Sequence, residues 1–232
     1  MNLILPCAGL GSRFKEKGYD LPKPLIDVFG KPMIERVYNC FDRNLFKKVI
    51  FLCLESHEKD YNISSVIKGF CPDAIIVFIL EKTEGALCTA LLAAPLWDND
   101  EPLTIANSDQ LITLDRYTDF NRNSLSTFFC WDRNSKWSYC ETNYNKVLKV
   151  VEKEAISECA NTGIYHFSSA AIFRKYANIM IEQNLRSKGE FYIAPIYNLL
   201  IADEIPVYHN VCEYFVGLGT PEDLEKFKND KQ

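Results

Sequence analysis

An α/β fold with a mainly parallel sheet and a small antiparallel section is predicted by three observations in this 232-residue chain. Strand-like runs alternate with helical patterns through the first half, and a glycine turn directly follows the first hydrophobic run. Short segments rich in aromatic and β-branched residues then crowd the middle of the chain.

Residues 2–5 read as a short buried strand, and runs at 48–54, 74–80 and 102–106 repeat the pattern. Residues 33–42 and 85–94 carry helical spacing between them, which gives βαβ units whose ligands gather at the carboxyl ends of the strands. The glycine turn follows one such end and NSDQ, residues 107–110, follows another, so both fall on one rim. After Asp109, the segments LSTFFCW, WSYCET and KVLKVVE, separated by the polar turns DRNSK and NYNK, predict the antiparallel section. Helices are expected around 169–182 and within FYIAPIYNLLIAD, then a strand near 206–211. Thr220 as cap, Pro221 at the first helical position, and Glu222 and Asp223 in the first turn predict a last helix. No repeat, low-complexity tract or linker interrupts residues 1–232, so a single domain is expected.

A hydrophobic content of 47% is enough for a substantial core. Net charge −5 and a pI near 5.3 argue against nucleic acid as a partner. Nine cysteines make an odd count with no CxxC pair, against a disulfide framework or a zinc knuckle, and read as reduced core thiols of a cytoplasmic protein. The apolar run before Gly9 is too short for a secretory segment and no later stretch approaches a membrane span, so neither export nor a membrane is expected. His57, His166 and His209 lack metal-ligand spacing and read as satisfied or exposed.

Gly9, Gly11 and Ser12 form a small-residue turn whose backbone N–H groups can approach a triphosphate without Cβ interference. Arg13 just beyond it and Lys23 in PKPL offer two cations to charge developing on a leaving pyrophosphate, with Pro22 and Pro24 stiffening the backbone around the lysine. Two better-known glycine loops are excluded. Phe14 stands where a dinucleotide fingerprint needs its third glycine, and no Lys-Ser or Lys-Thr pair closes a P-loop. A lone GxG is as readily a plain strand-to-helix turn; the PKPL block favours the phosphate reading. Asp109, at a strand's end, can hold Mg²⁺ or cap its own turn, whereas Asp27 and Asp115 read as turn or surface acids. KVLKVVEKE, which contains Glu152 and Lys153, also reads as a charged edge strand.

In these segments the chain resembles the sugar-phosphate nucleotidylyltransferases, or pyrophosphorylases, whose amino-terminal signature is a strand, GxG[ST]R and a KP pair. TEGALCTALLA at 83–93 resembles that family's nucleoside-side loop and helix, and NSDQ its metal-binding acid segment. Glu152 and Lys153, followed by NTGIYHF, resemble its sugar-phosphate pocket, and GLGTPEDL at 217–224 its closing segment. The resemblance implies a Rossmann-like three-layer nucleotide-diphospho-sugar transferase fold. It implies an enzyme that moves a nucleoside monophosphate from a triphosphate to a sugar phosphate or other small phosphorylated acceptor, releasing pyrophosphate, in the supply of precursors for capsule or cell-surface polysaccharide. Arg13, Lys23 and Asp109 are then the catalytic residues, with Mg²⁺ on Asp109. Leu5, Ala8, Gly9, Gly11, Ser12, Thr83 and Gly85 face the nucleotide, and Glu152, Lys153, Asn161, Thr162 and Gly163 face the acceptor. A homo-oligomer stays open.

Two departures from the family pattern stand out. Many members carry a second metal-binding aspartate just before the closing GT pair, where this chain has Gly217, Leu218, Gly219 and Thr220. Either one carboxylate suffices, Glu213 or another acid substitutes, or the chain is a nucleotide-sensing or scaffold relative without catalysis. Leu80 and Glu81 precede KTEG where some relatives place a glutamine that reads a pyrimidine; backbone around Ala8, Gly9 and Gly85 is left to read the base, with CTP placed first. A glycosyltransferase using a finished sugar nucleotide is the other enzyme reading, opposed by Arg13, Lys23 and the lack of a DxD pattern.

Overall fold

A computed structural model describes residues 1–113 and 119–230; Asp115 lies outside the described residues. Strand β1 (Asn2–Pro6) leads through the short helices α1 (Ser12–Glu16) and α2 (Met33–Tyr38) to β2 (Lys48–Leu54). Helices α3 (Glu55–Tyr61) and α4 (Ile63–Phe70) connect β2 to β3 (Ile75–Ile79), and α5 (Ala86–Leu91) connects β3 to β4 (Leu103–Ala106). These four strands are parallel, in the order β3-β2-β1-β4. Such strands are buried on both faces, which is why KVIFLCL of β2 is almost continuously apolar.

Beyond Asp109 come β5 (Gln110–Thr113), β6 (Ser124–Phe129), β7 (Ser138–Asn143), β8 (Lys146–Glu152) and β9 (Cys159–Phe167). Helices α6 (Ala170–Glu182) and α7 (Ile196–Ala202), strands β10 (Tyr208–Val211) and β11 (Tyr214–Gly217), and helix α8 (Pro221–Asn229) complete the described order. Strand β9 runs antiparallel beside β4, from Leu103↔Phe167 to Ala106↔Ile164, so the antiparallel section extends the same nine-stranded sheet through β6, β10, β8 and β7. The pair Tyr139↔Ala160 ties β7 back to β9.

Alternation along the strands divides the core into two layers. Leu3, Leu5, Val49 and Phe51 pack with α2, α4 and α8, while Ile4, Ile50 and Leu52 pack with α5, α6 and α7 on the opposite face. The result is the expected three-layer arrangement. The last helix starts as predicted, with Thr220 Oγ1 accepting from the Asp223 amide at 3.1 Å.

Two expectations need correction. Strand β8 pairs with β10 only at Lys146↔Tyr208, and farther along Asn198 of α7 bonds both backbone groups of Val150, at 2.8 and 2.7 Å, so KVLKVVEKE is a covered edge and not an exposed one. His57 and His166 are neither exposed nor fully satisfied, for each is buried with one ring nitrogen unpartnered. Burial pushes His166 down to about 3, so it stays neutral and shares a 2.9 Å hydrogen bond with Thr104. Strands β5 and β11 form a separate antiparallel ribbon that sequence periodicity does not reveal. All nine cysteines are free thiols, and no described helix is long and apolar enough to cross a membrane.

Candidate active site

At the carboxyl end of β1 the chain turns through Gly9 to Ser12, where the amides of Phe14 and Lys15 close on the Gly11 carbonyl at 2.9 and 3.1 Å. Gly11 has φ 61°, and a Cβ there would lie 3.1 Å from the Lys23 Cβ. Glycine is thus required for the turn and for the approach of Lys23, which sits in a 3₁₀ turn between two prolines. Lys23 Nζ is ion-paired with the Asp109 carboxylate, both side chains being mostly buried. A cleft of about 230 Å³ runs from Gly9 to Phe14, bounded by Lys23, Lys82 and Gly219. Arg13 opens onto this cleft and has no hydrogen-bond or ion-pair partner among the described residues. Leu5 is fully buried in the core and does not line it, because the rim begins one residue later, at Pro6.

An adjoining pocket of about 220 Å³ holds Ala8, Gly9, Thr83, Gly85 and Asn107. The Thr83 hydroxyl bonds the Gly85 carbonyl at 2.9 Å and the Thr89 hydroxyl at 2.6 Å, fixing the loop before α5. Leu80 is 79% exposed and does not reach this pocket.

Asp109 lines this pocket and a larger chamber beyond it, and adjoins the glycine-turn cleft through its ion pair with Lys23. Its backbone carbonyl accepts from Leu218 N at 2.7 Å, and a Cβ on Gly219 would lie 3.3 Å from its Oδ2, so the closing segment packs directly on the carboxylate. No group of three or more metal-binding side chains exists among the described residues. The Asp109 carboxylate, open to the pocket and the chamber, fits Mg²⁺, which is commonly held by one or two protein carboxylates together with a ligand's phosphate oxygens. Glu213 does not substitute for the missing second acid: its amide bonds Thr113, at the far end of β5, about 13 Å along the strand from Asp109. At Gly217 itself, Trp137 fills the space a side chain would enter.

The third compartment, about 700 Å³, is lined by Glu152, Lys153, Asn161, Gly163, Tyr165 and Tyr192 among others. A register shift between β6 and β9 bulges the NTG segment, where Gly163 has φ 80° and any Cβ would collide with the Asn107 and Gln110 side chains. Alternation then splits that segment. Asn161 and Gly163 reach the chamber, whereas Thr162 points away, fully buried, and donates to the Ser126 carbonyl at 3.1 Å. Gln110 Oε1 and Asn161 Nδ2 are buried without partners in residues lining the chamber, leaving one acceptor and one donor for a polar ligand. Burial pushes the Glu152 carboxyl up to about 7, against the opposing pull of Lys153. Lys153 has the left-handed φ of 58°, rare for a side-chain-bearing residue, and its amide bonds the Trp137 carbonyl at 2.9 Å.

Four site residues carried no sequence signal that typed them: Lys82, Trp137, Glu190 and Tyr192. Lys82, directly before the recognisable TEG, borders all three compartments.

The rim therefore sets cations and a glycine turn beside a larger polar chamber, two adjoining compartments that share Lys82. Residues 2–231 match the nucleotidyl transferase family, and the chain belongs to that family of enzymes. It is 26% identical over 234 residues to the bifunctional protein GlmU of Methanococcus maripaludis strain C5, covering 97% of this chain and 53% of the relative. It is 24% identical to the UTP–glucose-1-phosphate uridylyltransferase AglF of Haloferax volcanii, covering 97% and 94%. The chain spans about half the length of the GlmU relatives it matches. The nucleoside-diphosphate-sugar pyrophosphorylase structure from Vibrio cholerae RC9 superposes with a TM-score of 0.86 at 22% identity, covering 99% of this chain and 100% of that one. The inositol-1-phosphate CTP transferase from T. maritima gives 0.77 at 14% identity, over 100% and 96%. These two likenesses establish the fold.

Proposed function

We propose that residues 1–232 act as one sugar-phosphate nucleotidylyltransferase domain, transferring a nucleoside monophosphate from a triphosphate to a small phosphorylated acceptor. The observation that carries this reading is the Lys23–Asp109 pair, set between the glycine turn and the chamber of Glu152 and Lys153. An acceptor phosphate oxygen attacks the α-phosphorus in line; that P–O bond forms as the bond to the pyrophosphate oxygen breaks. The attacking group is already an anion, so the protein's contribution is position and charge neutralisation. Lys23 and Arg13 balance charge on the departing pyrophosphate, and Lys153 orients the acceptor phosphate. Glu152, Asn161 and the space beside Gly163 receive the remainder of the acceptor. Asp109 would hold Mg²⁺, which supplies positive charge at the reacting phosphates.

Backbone around Ala8, Gly9 and Gly85 is assigned to the base, with CTP the first triphosphate to test. The cysteine pattern supports a cytoplasmic setting. The test is pyrophosphate release with Mg²⁺, the four ribonucleoside triphosphates and dTTP, against a panel of sugar phosphates and other phosphorylated acceptors. An acceptor-dependent signal identifies both substrates; nucleotide binding without turnover on any acceptor would favour the sensor reading and sink this one.

A further inference from the structure

One carboxylate in the cleft has no part in the reaction just described. Glu190 Oε1 lies 2.6 Å from Lys82 Nζ, the lysine bordering all three compartments. Lys82 lowers the pKa of that carboxylate, as do the Tyr192 side chain beside it and Lys153, and Lys153 Nζ donates to the Tyr192 hydroxyl while lying 4.5 Å from the ring centroid. Burial raises the Tyr192 phenol, so it keeps its proton beside that carboxylate. Two bonded pairs, Lys82–Glu190 and Lys153–Tyr192, therefore stand side by side across the cleft, coupled where the carboxylate faces the phenol and the second ammonium group.

The backbone that carries Glu190 is itself stitched to the nucleotide loop. Ser187 and Glu190 exchange two backbone bonds of 3.0 Å, closing a tight turn. Phe191 N donates to the Glu84 carbonyl at 2.9 Å, and Leu87 N donates to the Phe191 carbonyl at 3.1 Å. Gly85 leaves the room for this contact, since a Cβ there would lie 2.7 Å from the Phe191 nitrogen. Any shift of the loop before α5 is thus passed to Glu190 and Tyr192.

We infer that Glu190 is a positioning residue that sets two phosphate-binding cations at once, Lys82 directly and Lys153 through Tyr192, at the expense of ground-state affinity for both anionic substrates. This rests on the reading under Proposed function. A negative charge between two anion sites opposes the binding of either anion, while it holds both ammonium groups where the transition state needs them. Loss of such a group lowers KM and kcat together, the signature of relieved ground-state opposition. A merely structural role would raise KM or leave it unchanged.

The test is Glu190→Gln, which keeps the shape but removes the charge; the side chain is 38% exposed, so the fold should tolerate it. Expected are KM values for triphosphate and acceptor each lower by roughly 1.5-fold to fivefold, the range of partly exposed charge pairs, and kcat lower by about tenfold or more. Tyr192→Phe should lower kcat and leave the triphosphate KM unchanged, and the double variant should lose no more kcat than the worse single one, because both act on the same coupled pairs. A raised KM for either substrate, an unchanged kcat, or additive losses in the double variant would overturn the inference. Calorimetric titration with inorganic tripolyphosphate needs no turnover: it should bind Glu190→Gln more tightly than wild type and Lys82→Ala more weakly. Weaker binding to Glu190→Gln overturns the inference. Tighter binding in a protein that releases pyrophosphate with no acceptor supports it while sinking the proposed reaction.

Discussion

Trp137 lies across Gly217, so close that a Cβ on the glycine would come within 2.6 Å of the indole Cη2. The indole is held by edge contacts to Phe128 and Phe215, at 5.5 and 5.2 Å between ring centroids, and those two rings stack on each other at 4.1 Å. An aromatic cluster thus fills the segment where the family resemblance leads one to expect a second acid, and the ring tip cannot swing aside without breaking it. Gly217→Asp is therefore expected to lower stability by about 1–3 kcal/mol, the usual cost of overpacking, without strengthening the metal requirement. Gly217→Asp combined with Trp137→Ala should regain part of that loss, because the clash is gone. Thermal denaturation of the three variants checks this; a fully stable Gly217→Asp protein would show that the cluster yields.

Lys23 and Asp109 form the second relationship on which predictions rest. Lys23→Ala should reduce turnover by about 10²–10³ with little change in triphosphate KM, since a cation aimed at developing pyrophosphate charge acts in the transition state. Steady-state kinetics of the folded variant decides, and near-normal turnover removes Lys23 from the reaction.

Asp109→Asn keeps the side chain's shape but removes the charge that opposes Lys23 and would hold Mg²⁺. Turnover should fall by about 10² or more while the melting temperature changes little. Wild-type protein should be inactive in excess chelator and recover with Mg²⁺. Full metal-dependent activity in the Asn variant would place the ion on another carboxylate.

The parallel half of the sheet was legible because its strands are buried on both faces and read as apolar runs, as in KVIFLCL of β2. The β5–β11 ribbon was not, since four-residue strands such as QLIT and YFVG leave too short a period. Motif order marked the rim, and the structure brings Lys23 to Asp109 across the sheet as that order suggests. Side-chain direction was beyond it: alternation sends Leu5 and Thr162 into the core while their neighbours face ligand space. Glu190 and Tyr192 were illegible for a different reason. Their importance comes from Lys82 and Lys153, more than thirty residues away in sequence, and only the folded chain brings them together.

Lys153→Ala should raise the acceptor's KM and leave triphosphate binding almost unchanged, because its ammonium group lies in the chamber with Glu152 and Tyr192, away from the glycine turn. Equal loss for both substrates would contradict its assignment to the acceptor alone.

Glu152 makes stability depend on pH in a direction opposite to most carboxylates. Half-buried in the chamber wall, it keeps its proton up to about 7, whereas an unfolded glutamate loses it near 4.5. Between those values the unfolded chain binds fewer protons than the folded one, so this residue's contribution to stability falls as pH rises through that window and is constant above it. Glu152→Gln cannot ionise and escapes the loss. The melting temperature of the variant relative to wild type should therefore be higher at about pH 8 than at about pH 4.5, with other titrating groups cancelling in the difference. Lys153 pulls the other way, so in Lys153→Ala protein the carboxyl should hold its proton to still higher pH and the Glu152→Gln advantage at alkaline pH should widen. A difference that does not change with pH would mean that Glu152 is hydrated in the folded protein and ionises as an ordinary surface acid.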